Sequence, residues 1–388
     1  MRAPSQREEA AMHSAGGKFI NPQSSRMHPS DGLPRKLESL QWLRAVAAMS
    51  VVYFHAVIQA KHVFFIGMTE IGETGVDIFF VLSGFIMWVT TRNSPISMGQ
   101  FIGKRIERIV PLYWVLTLAV AACAIIVPHL LRSTKFDIAH LLTSLFFMPW
   151  ANPAGMPGTS TYISPVIIPG WTLNMEMMFY ILFALCLPLR KKWRVFGIAF
   201  LISALYVVGN VGGNRGYLVS FYGNSIIFEF LMGVLLAAYL IPFLKLSVPW
   251  AWMLLFLSLI ILAYIEASSP DFPRALKFGV PAFFAIAAAI NLERLSAVPN
   301  FPILVKLGDA SYSIYLSHIF VISALRTAWN LLDLDRSDWN AFAFVTVSVA
   351  VSAIFGLLIH EYVERPLSRF KFITTRSNKN SNDALTQH

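Results

Sequence analysis

The sequence predicts an all-α polytopic integral membrane protein with about ten transmembrane helices and both termini in the cytoplasm. Of its 388 residues, 56% are apolar and only 13% are charged, and the mean hydropathy is +0.59. A soluble domain of this length needs a more polar surface, so lipid is the natural solvent. Long apolar runs supply the number of helices, and the distribution of basic residues supplies their orientation.

Apolar runs of sufficient length recur along the whole chain. A helix that crosses a bilayer needs about 20 mainly apolar residues. The fifth and eighth runs are short or interrupted by Gly and small residues, so nine or eleven spans also fit the pattern. We predict spans near residues 40–60, 74–91, 109–131, 171–189, 194–210, 217–240, 248–266, 278–293, 309–329 and 340–362.

Basic residues determine the predicted orientation. With successive spans running in alternate directions, 22 of the 31 Lys and Arg residues fall on one side and seven on the other, with Arg44 and Arg326 inside spans. Because cytoplasmic loops retain Lys and Arg, both termini are predicted to be cytoplasmic. The formal net charge of +10 has the same origin, and we expect no nucleic-acid partner.

The predicted organisation is one membrane domain between two polar tails. Residues 1–38 are rich in Ser, Pro, Gly and charge and lack the apolar core of a signal peptide, which indicates a disordered cytoplasmic tail. The membrane domain covers residues 39–366, and residues 367–388 form a cytoplasmic C-terminal tail. Cys123 and Cys186 lie in apolar runs, where buried thiols are expected rather than a disulfide or metal site.

Ionisable residues inside the first span carry the main functional signal. Arg44 and His55 are eleven residues apart, which is three helical turns, so both side chains lie on one face about 16 Å apart along the axis. Alone, Arg44 is explained as an interfacial anchor and His55 as a packed imidazole. Together they are complementary, because a cation holds an anionic group and an imidazole moves protons. We therefore predict a group-transfer site on this face.

Polar residues at the starts of the second and fourth spans are predicted to join His55 near the outer face. Asp77 opens the second span, and Trp171, Asn174 and Glu176 open the fourth. Each has a structural explanation, since Asp77 can cap its helix, Trp171 can be an interfacial aromatic and Asn174 can bridge helices. At one depth, however, the two carboxylates can orient or polarise the imidazole.

Other ionisable residues give weaker signals. Glu361 and Glu364 lie at the inner end of the tenth span beside Arg365, where a surface ion pair explains them. Glu229 has no evident role in the sequence. His318 lies within the ninth span and is the second candidate imidazole.

Five segments of the chain resemble one family of membrane enzymes, the acyltransferase-3 family. Their order and spacing match over residues 40–366, and the chain is most similar to the exopolysaccharide-production branch of that family. No single segment is specific, whereas the combination is. The segments are Leu43–Ala48 followed by His55, Gly75–Phe85, Lys104–Trp114, Trp171–Tyr180 and His360–Pro366.

The resemblance implies transfer of an acyl group, commonly acetyl, from cytoplasmic acyl-CoA to a glycan hydroxyl across the bacterial inner membrane. Acyl-CoA is then a donor substrate, with no permanently bound cofactor and no metal. Arg44, Lys104, Arg105 and Arg108 lie at the predicted inner boundary, where guanidinium groups match phosphate oxygens and would hold coenzyme A. His55 would act as the general base or accept the acyl group first.

The remaining site residues follow from the same resemblance. Glu176 and Asp77 would orient the imidazole or bind the sugar, and Trp171 and Asn174 would contact the substrate. Two other functions stay open: a glycan transporter or flippase, and a non-catalytic component of an exopolysaccharide assembly machine. A transporter also needs intramembrane charges, but no internal repeat is visible and it has no specific need for an Arg–His pair at this spacing.

Overall fold

The computed structural model describes residues 37–61, 69–93, 96–127, 135–155, 163–211, 216–268, 270–334 and 338–369. Residues from Glu38 onward form one compact unit. Within the described ranges, regular structure is helical apart from an isolated antiparallel bridge between Ala151 and Ile163. The all-helical prediction is confirmed. Most of the two predicted tails lies outside the described residues.

The helices are numbered here in chain order. They are α1 Glu38–Lys61, α2 Gly75–Thr91, α3 Met98–Ile126, α4 Ile138–Leu145, α5 Trp171–Cys186, α6 Lys191–Asn210, α7 Gly216–Tyr222, α8 Ile227–Leu235, α9 Val248–Ser268, α10 Val280–Arg294, α11 Pro302–Asp309, α12 Ser311–Leu331, α13 Asp338–Ile359 and α14 Arg365–Arg369. A 3₁₀ turn precedes α5 at Ile168–Gly170, and π-helical turns occupy Leu236–Leu240, Ala275–Gly279 and His360–Glu364.

Seven helical segments in the described ranges are long and apolar enough to cross a bilayer. The protein is therefore a multi-pass membrane protein. Three predicted spans fall outside these seven: α2 is shorter, the predicted span 217–240 is divided, and α12 is long but more polar. The total of ten spans and the cytoplasmic position of both termini stay predictions.

The third span begins earlier than the predicted residue 109. Helix α3 starts at Met98 because Ser97 and Gln100 form a capping box, in which each side chain bonds the other residue's backbone N–H at 3.2 Å. Lys104, Arg105 and Arg108 therefore belong to a regular helix rather than to the preceding loop. Their relative positions are fixed by the helix.

The predicted span 217–240 is interrupted between α7 and α8. Asn224 turns the chain, since its side-chain oxygen accepts a hydrogen bond from the Ile226 N–H at 3.0 Å. Gly223 faces Gly209 of α6 so closely that a Cβ on either residue would clash with the other backbone. The apolar run is continuous through this segment, but the turn at Asn224 interrupts the helix.

Helix α1 lies at the centre of the bundle. It packs against α2, α11, α12 and α13, and its residues Ala47, Ala48 and Ala56 are fully buried. Small side chains allow this close approach of helices in membrane proteins. By contrast, only 17% of an 18-residue apolar stretch of α6 and 22% of the corresponding stretch of α9 are buried, so these helices lie at the periphery.

Helix α2 begins inside the bundle rather than at its surface. The backbone of Gly72 lies against Ser50 and that of Gly75 against Ala47, with no room for a Cβ at either glycine. Ala47 is eight residues before His55, which is about 12 Å along α1. The start of α2 therefore lies well short of the depth of His55.

Helix α5 also begins inside the bundle. Pro169 and Gly170, in the turn that precedes it, are buried. The Pro169 carbonyl accepts a hydrogen bond from the hydroxyl of Tyr315, which is only one turn into α12. The chain therefore enters the bundle before α5 starts. As a result, the side chains in the first turns of α5 lie deeper than they would if the helix began at the surface.

Candidate active site

A cleft opens between α1, α2, α3, α5 and the start of α12. Its empty space, counted with the solvent at its mouth, is about 770 Å³. Arg44, Arg108 and Glu176 are the charged residues that line it. The other lining residues are mostly apolar or aromatic, with hydroxyl groups from Ser83, Thr172, Tyr180, Ser311, Tyr312 and Tyr315.

Arg44 brings positive charge into this cleft. Its guanidinium donates a hydrogen bond to Gln41 at 3.1 Å and lies within electrostatic range of Arg108, Glu176 and Glu364. Arg108 lines the same cleft and is exposed. Among the side chains that line the cleft, the guanidinium groups outnumber the carboxylates by two to one. Such a surface suits a ligand that carries several negative charges.

Glu176 belongs to the Arg44 cleft, contrary to its predicted position beside His55. Ser83 donates a hydrogen bond to its carboxylate at 2.7 Å, and the Tyr180 hydroxyl bonds the same oxygen. The buried turn before α5 accounts for the difference, because it places the start of the helix deep in the bundle. Glu176 is therefore an acidic residue of the charged cleft.

The three basic residues of α3 occupy different environments. Arg105 lies over the rings of Phe101 and Tyr180, with 5.3 and 5.7 Å from its guanidinium carbon to the ring centroids. Arg108 reaches the cleft, as described above. Lys104 is exposed and is not among the residues that line the cleft. The predicted basic cluster thus contributes Arg108 directly and Arg105 from just behind it.

His55 lies further along α1 and contacts a second imidazole. Its Nδ1 is 2.9 Å from the carbonyl oxygen of Val51. Because a carbonyl can only accept, Nδ1 carries the proton and Nε2 has the free lone pair. The His318 ring packs against it with centroids 5.0 Å apart and 3.4 Å between His318 Nε2 and His55 Nδ1. The fixed tautomer leaves Nε2 of His55 free to accept a proton.

Asp77 does not pair with His55, so its predicted position beside the imidazole is wrong, while its role in the reaction stays a prediction. Its carboxylate is fully buried and forms two hydrogen bonds with Arg274, at 3.0 Å to Nε and 2.9 Å to Nη2. The reason is the depth at which α2 begins, about 12 Å short of His55 along α1. A buried bidentate pair between segments so distant in sequence has a structural role, joining α2 to the turn before α10.

Glu73, rather than Asp77, is the carboxylate whose charge acts on His55. It lies within electrostatic range of the imidazole and also pairs with Arg274 at 2.7 Å. Its side chain is 43% exposed, whereas that of Asp77 is fully buried. Glu73 is therefore an accessible acidic group on the histidine side of the site.

Trp171 and Asn174 lie near the cleft but do not line it. Trp171 packs edge-on against Phe80, with ring centroids 6.3 Å apart. Asn174 is 1% exposed, and its amide atoms have no hydrogen-bond partner among the described residues. Their predicted roles in substrate binding stay untested.

The last membrane helix is joined to α12 by a polar cluster. Glu364 accepts a hydrogen bond from Ser313 at 2.6 Å and pairs with Nδ1 of His360 at 2.7 Å. Glu361 instead forms an exposed pair with Arg365. Glu364 thus links two helices, which differs from the simple surface pair expected from the sequence.

Two cysteines and the acidic residues give no sign of a metal centre in the described part of the chain. Cys123 is exposed and Cys186 is buried, and both thiols are free. The described ranges contain no group of three or more His, Cys, Asp and Glu side chains that could hold a metal ion.

A family model described as an acyltransferase domain matches residues 37–361, which include every residue of the cleft and of the histidine pair. The chain belongs to the acyltransferase-3 family. It is thus an acyltransferase enzyme, and the family assigned from the sequence segments is confirmed.

Three relatives show how far the similarity of this acyltransferase extends. The exopolysaccharide production protein ExoZ of Rhizobium meliloti (strain 1021) is 35% identical over 319 residues, covering 81% of this chain and 94% of ExoZ. Acyltransferase MdmB of Streptomyces mycarofaciens is 27% identical over 86% of this chain and 92% of MdmB. Peptidoglycan O-acetyltransferase OatA of Listeria monocytogenes is 25% identical, and the match covers 56% of OatA. No solved structure matches the chain.

Several neighbours of the site in this acyltransferase were not identified from the sequence. Arg274 falls between the predicted spans 248–266 and 278–293, and Glu73 precedes the predicted second span. Tyr315 and Ser83 have no charge to attract attention within apolar runs. A possible signal was the position of Tyr315 three residues before His318, since residues at this spacing lie on one helix face.

Proposed function

We propose that the protein is a membrane O-acyltransferase that moves an acyl group, most simply acetyl, from cytoplasmic acyl-CoA to a hydroxyl of an extracytoplasmic or lipid-linked glycan. One observation carries the proposal. Arg44 lines a cleft with two guanidinium groups, and His55 on the same helix lies beside His318 of α12 with its Nδ1 bonded to Val51 and its Nε2 free. Anion binding and proton transfer are the two capacities that acyl-CoA chemistry requires of the protein.

The cleft is the proposed donor site. Arg44 and Arg108 would bind the phosphates of coenzyme A, with Arg105 adding to the local field. The apolar and aromatic wall suits the uncharged pantetheine arm. The axial distance of about 16 Å from Arg44 to His55 is of the order of that arm's extended length. The thioester would then reach the histidine side while the phosphates stay at the cleft.

His55 is the proposed proton acceptor. Its Nε2 removes the proton from the acceptor hydroxyl as the oxygen attacks the thioester carbonyl, a C–O bond forms and the C–S bond breaks. The departing thiolate takes the proton back from Nε2. The same nitrogen can instead accept the acyl group first and pass it to the hydroxyl. In both routes the Val51 carbonyl holds the imidazole in the required tautomer.

Glu73 marks the proposed acceptor side. It is partly exposed, pairs with Arg274 and acts electrostatically on His55, so it can bind sugar hydroxyls and favour the transient imidazolium. In the predicted topology this side faces away from the cytoplasm, which would allow the acyl group alone to cross. The similarity to ExoZ favours an exopolysaccharide as the acceptor and a bacterial inner membrane as the location.

Two assays with purified full-length protein test this proposal. Free thiol released from acetyl-CoA is measured with and without a glycan extract, and label from [¹⁴C]acetyl-CoA is measured in the recovered glycan. We expect label in the glycan, and thiol release beyond one equivalent per protein, only when protein, donor and glycan are all present. Glycan movement across vesicles without any acetylation would favour a transporter. If the protein neither acetylates glycan nor moves it across vesicles, a non-catalytic assembly component would be favoured.

A further inference from the structure

Tyr315 forms a shared wall between the charged cleft and the histidine pair. Its ring lines the cleft together with Phe79, and the two ring centroids are 5.9 Å apart. The same ring also lies near His318, at 6.0 Å between centroids, and His318 in turn contacts His55. No other residue that lines the cleft makes a ring contact with either imidazole among the described residues. A group that passes from the cleft to the imidazoles therefore meets this ring.

The ring of Tyr315 is held in place from its hydroxyl end. The hydroxyl donates to the Pro169 carbonyl at 3.1 Å and lies 3.1 Å from the hydroxyl oxygen of Thr172. Thr172 bonds the same carbonyl at 3.0 Å. Tyr315 is 6% exposed and Phe79 packs against the apolar core around α1. The wall is thus anchored at its polar edge and closely packed along its face.

We propose that Tyr315 and Phe79 form the end of the acyl-binding subsite and restrict the donor to short acyl chains. This inference rests on the proposed function and specifies its donor. With the phosphates held by Arg44 and Arg108, the acyl group is the leading end of the donor and arrives at the aromatic wall. Interiors at native packing density do not accept additional methylene groups without displacement of neighbours. With the thioester at the histidine side, an acetyl group fits against the ring, whereas the additional methylene groups of a longer chain would have to displace it.

The ring, rather than the hydroxyl, sets this limit. Tyr315→Phe removes both hydroxyl contacts but keeps the wall, so it should retain the selectivity for short chains. Tyr315→Ala removes the wall and should admit longer chains. Tyr312 provides a matched control, because it is a second cleft tyrosine whose hydroxyl donates to the Ile109 carbonyl at 2.7 Å and whose ring has no described contact with an imidazole. Tyr312→Ala should leave the chain-length selectivity unchanged.

Competition binding to full-length protein in lipid nanodiscs tests the inference. Coenzyme A and its acetyl, butanoyl, hexanoyl and octanoyl thioesters are used to displace labelled acetyl-CoA. Wild type should bind octanoyl-CoA at least about tenfold more weakly than acetyl-CoA, the lower end of the discrimination that one methylene can give in a fitted pocket. In Tyr315→Ala the two affinities should agree within about threefold, while unacylated coenzyme A binds as in wild type. Tyr315→Leu replaces this variant if it does not fold.

The outcomes separate this inference from the function on which it rests. Equal binding of all chain lengths by wild type would overturn the inference, as would selectivity that survives in Tyr315→Ala or Tyr315→Leu. Either result would leave the donor site intact. Selectivity lost equally in Tyr312→Ala would also overturn it, because the limit would then be a property of the whole cleft. If none of the five ligands binds wild type, the proposed function and the inference both fail.

Discussion

Arg44 and His55 lie on one helix, but their surroundings differ. Arg44 faces an open cleft that it shares with Arg108 and Glu176. His55 has its Nδ1 fixed by Val51, and the His318 ring lies 5.0 Å away between centroids. An open space lined by two guanidinium groups suits a large anion, whereas a fixed imidazole suits proton transfer. In the proposed mechanism, donor binding and proton transfer therefore belong to different ends of α1, so substitutions at the two positions should have different kinetic effects.

The largest effect is expected at His55. In His55→Gln the side chain keeps a similar reach but loses the titratable base, so turnover per folded molecule should fall by about 10²–10⁴-fold or more. Acetyl transfer is measured on protein normalised by its folded fraction. His140→Gln is the matched control, since His140 is also a buried imidazole but bonds the Ser164 carbonyl outside the site. Turnover of His55→Gln above about a tenth of wild type would contradict the role and make His318 the next candidate.

The next effect distinguishes two carboxylates that share Arg274. Asp77 is fully buried and Glu73 is 43% exposed, so their loss should differ in stability. Asp77→Asn breaks the buried bidentate ion pair with Arg274 and should lower the free energy of unfolding by about 3–5 kcal/mol. Glu73→Gln should lower it by less than about 1 kcal/mol. Denaturant unfolding in detergent measures both.

Turnover measurements also distinguish Glu73 from Asp77. Glu73→Gln should reduce turnover because its charge acts on His55, whereas Asp77→Asn protein that folds should turn over at nearly the normal rate. A folded Asp77→Asn variant of full stability but without turnover would show that Asp77 acts in the chemistry after all.

A smaller effect separates the basic residues of α3. Arg108 lines the cleft, while Lys104 is exposed outside it. Loss of a hydrogen bond between charged groups is worth about 1.5–3 kcal/mol, so Arg108→Gln should weaken acetyl-CoA binding by at least about tenfold. Lys104→Gln should weaken it by less than about threefold. Equal losses would show that the field of the whole cluster, rather than contact in the cleft, holds the donor.

The smallest effect concerns pH and the segment outside the membrane helices. Burial lowers the pKa of His140, although hydrogen bonding to Ser164 and the charge of Asp137 oppose this shift. The folded state therefore favours neutral His140, and its contribution to stability is complete above the unfolded pKa of about 6.5. It is lost as pH falls below that value. Between pH 8 and pH 5, the melting temperature should fall less in His140→Gln than in wild type. Equal falls in the two proteins would show that His140 does not contribute to the pH dependence of stability.

Much of the fold followed from the sequence because hydropathy reports burial in lipid directly. Arg44 lines the cleft with residues of α12, and His55 contacts His318 of the same helix, as a shared face of α1 predicts. This face was predictable because helical periodicity depends only on local sequence spacing. The start of α3 was misplaced because its charged first turns hid the capping box at Ser97 and Gln100. The sequence contained this helix-start signal, but the prediction followed the hydropathy, which becomes strongly apolar only after the charged turns.

The positions of Asp77 and Glu176 could not be obtained in this way. Hydropathy shows where an apolar run begins in the chain but not the depth at which it begins in the bundle. Both α2 and α5 start inside the protein, which moves Asp77 to Arg274 and Glu176 to the Arg44 cleft. The partner of Asp77 is 197 residues away, and only tertiary packing brings it there.

The separation of binding from chemistry along α1 is tested most directly by measuring acetyl-CoA affinity and turnover together in Arg44→Gln and His55→Gln. We expect Arg44→Gln to weaken affinity by at least about tenfold, the effect of losing a charged hydrogen bond. We expect His55→Gln to bind acetyl-CoA as wild type does and to lose turnover by about 10²-fold or more. Unchanged affinity in Arg44→Gln, or lost affinity with retained turnover in His55→Gln, would contradict the account.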